Sequence, residues 1–463
     1  MERDGSIGQE PGPVWDPESQ TLTTGEPVAP DAGAPVHGDG RAGPDAGAQR
    51  ESTVVFVEEP KSLQRLIFWN TLSTFLTVGL YRFWARTRLR RHFWHRVIVA
   101  GSPAEYMGHG FELFAGFLVI FALVGVGFLV FLFSTLYAYG DEVSTDLLSS
   151  LPLALLPVLL PMALFRARRY RLRRTVWRGI HLAQDGSVLT YTALWVWGLV
   201  LTVLTLGLAY PARNLWTERY RLTHTLVGDR RVDFKARVAP LMLAWLPAWG
   251  CSLLLLAASV GCAVWWDLHG SVSDLPAGTN NPPVPEPWSD FYAVPPALWG
   301  LALLLSLILF YGSFVRYRVL EFRYVVGQMD LAGARFTSDL GVTDVLRIIT
   351  PGLLGLMGYV VLSGVTVATI YEVLRALPSH AADGAGTLLM AASALSMSVA
   401  LLFAASYGVS VVSNVGMRAR LLGAVARTLD IENPQALDRI GQGRTDATGP
   451  GEGLADALAF GDF

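Results

Sequence analysis

Residues 239–266 read APLMLAWLPAWGCSLLLLAASVGCAVWW, a stretch of 28 residues without a charged side chain. About 20 predominantly apolar residues are enough for a helix to cross the hydrocarbon core of a bilayer. The preceding segment, Arg213–Arg237, carries seven lysines and arginines, whereas the following segment, Asp267–Ala293, carries four acidic residues and none. Because basic residues favour the cytoplasmic side of a membrane, this pattern predicts a helix that leaves the cytoplasm near residue 239.

Most of the chain repeats this alternation of apolar blocks and basic segments. The 463 residues are 52% hydrophobic and only 16% charged, whereas soluble domains are roughly a quarter charged. Five further blocks reach spanning length: Phe111–Tyr139, Leu147–Phe165, Val294–Phe314, Leu346–Ile370 and Thr387–Val415. Of the 36 lysines and arginines, 28 lie in five segments that border the blocks. The composition therefore predicts a multi-pass membrane protein.

Two more apolar blocks, Leu63–Ala85 and Thr190–Ala212, contain more polar residues. The second lies between Arg166–Leu189 and Arg213–Arg237, which carry seven basic residues each, so a single crossing would place one of them outside. We therefore predict an all-α polytopic membrane protein with three outward helical hairpins, or six spans. The two polar blocks would be non-crossing or re-entrant elements, and short extended segments would run over the cytoplasmic face. The alternative is eight full spans.

Both ends of the chain differ in composition from this body. Met1–Arg50 carries nine acidic residues, three arginines, nine glycines and seven prolines, a composition typical of disorder. From Thr428 onward the chain carries seven acidic residues and two arginines. The predicted organisation is a disordered tail over 1–52, a membrane domain with internal repeats over 53–427, and a flexible acidic tail over 428–463. Both termini are predicted to be cytoplasmic.

The basic segments share the pattern Arg-x-Arg followed by an aliphatic residue. It occurs at Arg86-Thr87-Arg88-Leu89, Arg169-Tyr170-Arg171-Leu172, Arg219-Tyr220-Arg221-Leu222, Arg316-Tyr317-Arg318-Val319 and Arg418-Ala419-Arg420-Leu421. Basic pockets at the cytoplasmic boundary can bind anionic lipid head groups, which makes Arg88, Arg171, Arg221 and Arg318 candidates for that role. The alternative is that they only fix the topology. Membrane lipids are therefore the predicted partners; no nucleic acid is expected, and protein partners are unknown.

A polar stripe runs along the first of the two broken blocks. Asn70, Thr74 and Thr77 recur at helical spacing, and Thr202 and Thr205 occupy similar places in the second block. Such side chains usually hydrogen-bond neighbouring helices within a membrane. The alternative is a hydrated path or substrate groove, as in the broken helices of transporters.

One carboxylate stands at the start of an apolar block. Glu112 lies in the first turn of Phe111–Tyr139, and His109 precedes it by three residues, so the two could form a proton relay or a satisfied interfacial pair. The sequence contains no phosphate-binding Gly-Lys-Ser loop, no Gly-x-Ser-x-Gly motif and no zinc-spaced Cys and His residues. We therefore predict no catalytic, metal or cofactor site and favour a protein that is not an enzyme.

Several of these motifs together resemble the YjgN-type inner-membrane proteins of bacteria. They are Asn70-Thr71-Leu72, Leu76-Thr77-Val78-Gly79-Leu80-Tyr81, Phe83-Trp84-Ala85-Arg86, Tyr106-Met107-Gly108-His109-Gly110, Arg174-Thr175-Val176-Trp177-Arg178-Gly179-Ile180 and Gly453-Leu454-Ala455-Asp456-Ala457. The chain departs from that family at Val78, where the family tends to have leucine, and in its long acidic tail. The resemblance implies a bacterial inner membrane but no mechanism. A transporter, channel or lipid-handling protein and a non-catalytic scaffold that recruits partners through its tails are the two remaining classes.

Overall fold

The β-prone residues that follow the basic segments pair with one another, and this pairing organises the fold. The computed structural model describes residues 14–15, 22–23, 53–118, 121–122, 142–273, 296–376 and 384–443, in the two units Met1–Glu51 and Ser52–Phe463. In the first unit, β1 (Val14–Trp15) pairs antiparallel with β2 (Leu22–Thr23). In the described part of the second unit, ten strands form one antiparallel sheet in chain order. They are β3 Val54–Phe56, β4 Val97–Val99, β5 Ser102–Tyr106, β6 Thr175–Trp177, β7 Ile180–Gln184, β8 Thr225–Val227, β9 Arg230–Phe234, β10 Met329–Leu331, β11 Ala334–Ser338 and β12 Leu429–Glu432.

Two-residue turns that contain glycine join the strands into hairpins. The turns are Ala100-Gly101, Arg178-Gly179, Gly228-Asp229 and Ala332-Gly333. In three of them both residues have positive φ, from 46° at Ala100 to 95° at Gly333. That conformation matches the twist of the flanking strands, and glycine adopts it without steric cost. The glycines therefore fix where each hairpin turns.

The first and last strands of the sheet lie side by side, so the sheet nearly closes into a ring. The Thr53 hydroxyl, just before β3, accepts a hydrogen bond from the Ile431 N–H (3.0 Å) and donates one to Asp430 Oδ1 (3.4 Å). After β12 the chain forms the 3₁₀ helix Pro434–Arg439. One apolar core joins strands from all parts of the ring to this C-terminal segment: Val54, Trp177, Ile180, Val232, Leu331, Ala334, Ala426, Ile431, Ala436, Leu437 and Ile440.

With the exception of Gly384–Val411, each helix of the described chain directly follows or precedes a strand, so these helices meet the sheet at one of their ends. Within the described chain the helices are α1 Pro60–Leu76, α2 Arg82–His95, α3 over 110–118, α4 Glu142–Arg173, α5 Val188–Leu204, α6 Tyr210–Thr223, α7 Ala239–Ser273, α8 Pro296–Gly327, α9 Val342–Ala376, α10 Gly384–Val411 and α11 Arg420–Thr428. The π-helical segment Val412–Ala419 joins α10 to α11. Helix α7 packs along α8, α9 packs against α10, and α1 also contacts α10.

Four helical stretches among the described residues are long and apolar enough to cross a membrane. They are Ala239–Trp266, Leu298–Gly327, Val342–Val365 and Val399–Thr428. Only 11–17% of the residues in the most apolar part of each stretch are buried, as expected for helices that face lipid. Membrane association is therefore supported by length and composition.

The predicted all-α fold with six spans is wrong, and so is its alternative of eight spans. The short segments predicted to run singly over the cytoplasmic face instead pair into the ten-stranded sheet. Hydropathy alone could not show this, because strand pairing joins residues as distant as Arg335 and Glu432 and therefore depends on long-range contacts. Of the predicted spans, Leu147–Phe165 lies within α4, and Phe111–Tyr139 lies largely outside the described residues.

The two broken apolar blocks form helical hairpins with the same turn. In the first, the Gly79 N–H donates to the Thr74 carbonyl (2.7 Å), and in the second the Gly207 N–H donates to the Thr202 carbonyl (2.7 Å). The two glycines have φ values of 89° and 90°. Both ends of the α1–α2 and α5–α6 hairpins lead into strands of the sheet. The turns therefore lie at the ends of the hairpins that are away from the sheet.

Candidate anion-binding site

A cavity of about 400 Å³ lies between the α1–α2 hairpin, the end of α4 and the segment formed by α10 and its π-helical extension. We call it the arginine cavity, because six of its lining residues are arginines: Arg82, Arg86, Arg90, Arg168, Arg171 and Arg418. Among the described residues that line it there is no aspartate or glutamate. The cavity therefore concentrates positive charge without an acidic residue in its own wall.

Helix α2 supplies three of the arginines from one face. Arg82, Arg86 and Arg90 are four residues apart, and side chains at that spacing lie one above the other on a helix. Their Cα atoms span about 12 Å along the axis. Arg90 is buried, and its Nη1 donates to the Tyr106 hydroxyl (3.2 Å) on β5. The sheet therefore holds the inner end of this arginine row in place.

The end of α4 brings two more arginines to the opposite wall. Burial, together with the positive charges of Arg221 and Arg171, lowers the pKa of the Arg168 guanidinium to about 10. The group stays charged at neutral pH, but the charged form costs more there than in water. Arg418, from the π-helical segment, donates from Nη1 to Asn414 Oδ1 (3.1 Å). An anion in this cavity would be stabilised from several sides.

Uncharged polar groups line the part of the cavity formed by α1 and α10. The Thr74 hydroxyl donates to the Asn70 carbonyl (2.7 Å), and the Ser410 hydroxyl donates to the Ser406 carbonyl (2.9 Å). The Asn70 side-chain amide donates to the Ala85 carbonyl on α2 (3.3 Å). The hydroxyl and amide oxygens remain as acceptors, so this part of the wall differs chemically from the arginine part.

A second cavity, of about 480 Å³, lies at the matching place beside the α5–α6 hairpin. An offset of 128 residues that aligns Gly79 with Gly207 also aligns the arginine row with Tyr210, Asn214 and Glu218. Here the charges are paired: Arg221 with Glu218, and Arg318 Nη1 with Glu321 Oε2 at 2.5 Å. The two cavities therefore share a position relative to their hairpins but differ in net charge.

The four arginines predicted to bind head groups lie in three different places. Arg171 lines the arginine cavity, whereas Arg221 and Arg318 line the second cavity and are ion-paired. Arg88 is exposed and stacks over the Tyr81 ring at 5.4 Å. The structure therefore brings one of the four to the arginine cavity.

The predicted polar stripe is also divided. Asn70 and Thr74 line the arginine cavity. The Thr77 and Thr205 hydroxyls accept hydrogen bonds from the Tyr81 and Ala209 N–H groups (2.9 and 3.0 Å), so they serve the turns of their hairpins. Thr202 donates to the Gly198 carbonyl within its own helix (2.7 Å).

Of the remaining cavity arginines, Arg86 and Arg418 stand in Arg-x-Arg motifs but were not among the predicted head-group residues. Arg82, Arg90 and Arg168 lie outside these motifs, so the pattern did not point to them. In that pattern two arginines are two residues apart and point to different faces of a helix. The informative signal was the four-residue spacing of Arg82, Arg86 and Arg90. Nothing local in the sequence connects this row to Arg168 or Arg418, which come from distant helices.

Glu112 makes its described contacts with the end of α4. It accepts hydrogen bonds from the Tyr170 hydroxyl and from Arg174 Nη2, both at 2.6 Å. Burial raises the pKa of Tyr170, so the phenol stays protonated and donates. His109 is exposed, and among the described residues no hydrogen bond joins it to Glu112. Glu112 thus ties the start of α3 to α4.

Replacing Glu112 with leucine is expected to lower the free energy of unfolding by about 2–4 kcal/mol, because Tyr170 and Arg174 would lose a charged acceptor in a half-buried place. Glu112→Gln should cost less, since the amide can still accept from Tyr170. Thermal unfolding in detergent measures both. Glu105→Gln on β5 is the matched control, because Glu105 is exposed. Equal stability of Glu112→Leu and the wild type would contradict this role.

A comparison with protein families gives one match. The family model described as "Bacterial protein of unknown function (DUF898)" matches residues 51–457. No curated protein and no solved structure matches the chain.

Proposed function

The chain belongs to this bacterial family of unknown function, as the resemblance predicted, so we propose a role from the site itself. We propose a bacterial inner-membrane protein that binds a phosphate-bearing anion, most naturally the head group of an anionic lipid, in the arginine cavity. This proposal specifies the predicted lipid-handling role as the binding of an anionic head group. The transporter, channel and scaffold roles stay predictions.

The observation that supports this proposal is the charge of the cavity. Six arginines line about 400 Å³, and no acidic residue lines it within the described chain. Arginine binds phosphate through planar, charge-assisted pairs of hydrogen bonds, and these bonds are among the strongest in proteins. Six guanidinium groups in one cavity repel one another, and a bound anion would offset that repulsion. In the second cavity, the protein's own carboxylates already do so.

The surroundings of the cavity favour a lipid as the source of the anion. Helix α1 contacts α10, and both expose apolar residues next to the cavity-lining ones. Trp69 is 55% exposed on α1 and Leu402 is 47% exposed on α10. The tip of the hairpin is more apolar still, since Val78 is 94% exposed. A lipid could therefore place its phosphate among the arginines while its acyl chains remain beside the apolar helices.

The proposal includes an orientation. The sheet and the arginine cavity would face the cytoplasm with both termini, and the segment Asp267–Ala293 would face the other side, as the basic residues predict. The α1–α2 and α5–α6 hairpins would enter the membrane and return as re-entrant copies of one internal repeat. The shared turn geometry and the exposed apolar tips support this reading.

Cysteine labelling tests the orientation. With Cys251 and Cys262 replaced by serine, we expect Thr279→Cys to react with an impermeant maleimide in intact cells. Ser187 precedes the α5–α6 hairpin and Arg230 follows it, and the proposed orientation places both on the cytoplasmic side. Ser187→Cys and Arg230→Cys should therefore react only after the inner membrane is opened. Labelling of those two sites from opposite sides would show that the segment between them crosses the membrane, and would refute the proposed orientation.

A binding measurement tests the function. The purified protein in detergent is titrated into mixed micelles with a chain-labelled phosphatidylglycerol, and fluorescence polarisation is compared with that of labelled phosphatidylcholine. We expect at least tenfold tighter binding of the anionic lipid, because the choline ammonium of phosphatidylcholine would be repelled by the six guanidinium groups of the cavity. Competition by inorganic phosphate distinguishes a lipid from a free anion as the source. Equal affinity for both lipids, with no competition by phosphate, would refute the proposal.

A further inference from the structure

The arginine cavity has two chemically different walls. The arginine side offers N–H donors only, since a guanidinium has no acceptor. The side formed by α1 and α10 offers oxygens. The Thr74 and Ser410 hydroxyls each donate their hydrogen to a carbonyl of their own helix, so their remaining lone pairs can only accept. Both side chains are half-buried, and both line the cavity.

Asn70 adds a third acceptor to this wall. The residue is 7% exposed and lines the cavity. Its Nδ2 donates to the Ala85 carbonyl at 3.3 Å, which fixes the orientation of the amide, because the flipped amide would set oxygen against oxygen. Its Oδ1 is buried and has no hydrogen-bond partner among the described residues. A buried acceptor without a partner is costly and would gain from a donor.

We infer that the ligand carries hydroxyl groups next to its phosphate, and thus is a polyol phosphate such as a glycerol-phosphate head group. The phosphate binds the arginines, and the hydroxyls donate to the acceptors on α1 and α10. This inference rests on the proposed function and deepens it.

The charge of the cavity selects hydroxyl donors over ammonium donors. An ammonium group could also donate to Thr74 and Ser410, but it would lie within one cavity of about 400 Å³ with six guanidinium groups. Like charges repel strongly at such distances in a poorly solvated site. A neutral hydroxyl meets the same acceptors without that repulsion. Head groups that contain ethanolamine or serine are therefore disfavoured.

The experiment compares phosphatidylglycerol with phosphatidylpropanol in the micelle assay. Both lipids carry one negative charge on a phosphodiester, and only the first has head-group hydroxyls. We expect the wild type to bind phosphatidylglycerol about tenfold more tightly, since two neutral hydrogen bonds are gained. Phosphatidylserine should bind more weakly than phosphatidylglycerol.

Variants test whether the wall formed by α1 and α10 causes the preference for phosphatidylglycerol. Thr74→Val keeps the side-chain shape and removes the acceptor, and it is combined with Ser410→Ala. We expect this double variant to lose the preference while its affinity for phosphatidylpropanol stays within about twofold, which also shows that it is folded. Thr77→Val is the matched control, because Thr77 does not line the cavity. Asn70→Leu should weaken the preference independently.

The outcomes separate this inference from the proposed function. If the wild type binds both anionic lipids equally well and more tightly than phosphatidylcholine, the inference is overturned and the proposed function stands. A preference that survives in the double variant, or is lost equally in Thr77→Val, overturns it as well. If no anionic lipid binds better than phosphatidylcholine, the proposed function itself fails. Displacement by glycerol 3-phosphate but not by propyl phosphate would support a free polyol phosphate as the natural source.

Discussion

Deletion of residues 428–463 is expected to abolish the folded protein, whereas deletion of 444–463 is expected to leave its stability unchanged. The first deletion removes β12 and the 3₁₀ helix Pro434–Arg439. The second removes only residues from the segment whose acidic, glycine-rich composition predicts a flexible tail. Composition predicts that residues 428–463 form one flexible tail, whereas Leu429–Glu432 forms the last strand of the sheet. The two deletions therefore test which part of this segment the fold needs.

The reason for the large effect is that the C-terminal segment completes the core of the ring. Ile431 and Leu437 are each 3% exposed, and Ile440 is 6% exposed. Each such side chain contributes about 1.5–3 kcal/mol when buried. The three together approach the total stability of about 5–15 kcal/mol that is typical of a folded domain. Loss of the strand would also leave one edge of β11 unpaired, because β12 is its neighbour on that side.

Polar contacts hold the same segment across two hairpin turns. Arg178 Nη1 pairs with Asp438 Oδ1 at 2.5 Å, and the Gly441 N–H donates to Asp229 Oδ1 at 2.9 Å. These groups are largely exposed, so each contact is worth less than the buried side chains. Their effect is to position the segment over the turns of β6–β7 and β8–β9.

Yield and thermal unfolding of the two deletions in detergent give the measurement. Because a deletion can fail for trivial reasons, Leu437→Ala is measured in the full chain, with an expected loss of about 2–5 kcal/mol. Gln435→Ala, at an exposed position of the same helix, is its control and should change little. A stable protein that lacks 428–463 would show that the ring does not need its last strand.

The sequence predicted the apolar helices better than the sheet. The block Ala239–Trp266 recurs unchanged as a candidate span, because 28 uncharged and mostly apolar residues in a row allow few other structures. The strands of the sheet are only three to five residues long, so the alternation of apolar and polar residues along them is too short to identify them as strands. The glycine after Arg178 did mark a turn, but a turn does not tell which distant strand pairs with the hairpin.

The candidate site was predictable only in part for the same reason. Its excess of arginine follows from composition, and one of its residues, Arg171, was among the predicted head-group candidates. Its geometry depends on where α4 and α10 lie beside the α1–α2 hairpin, and cavity residues such as Asn70 and Ser410 are 340 positions apart in the chain. The spacing of Arg82, Arg86 and Arg90 on one helix face was the part of the site that the sequence did contain.

Replacing Arg86 and Arg171 with glutamine is expected to weaken binding of phosphatidylglycerol by about ten- to a hundredfold for each single variant. The two residues line the cavity from different helices, α2 and α4. Loss of one charge-assisted hydrogen bond to a phosphate costs about 1.5–3 kcal/mol, which corresponds to that range. The double variant should bind no better than the wild type binds phosphatidylcholine.

Arg88→Gln is the matched control for this series. Arg88 lies on α2 two residues from Arg86, is exposed, and stacks on Tyr81 outside the cavity. The variant Arg88→Gln removes one positive charge from α2, as Arg86→Gln does. If only the general attraction between a basic surface and an anionic lipid mattered, binding would weaken equally in both variants. The cavity predicts less than about a twofold change for Arg88→Gln, because exposed charges in water contribute little. Equal losses in the two variants would mean that the basic surface, and not the cavity, attracts the lipid. A loss confined to Arg86→Gln and Arg171→Gln would place the phosphate between α2 and α4, where the arginine cavity lies.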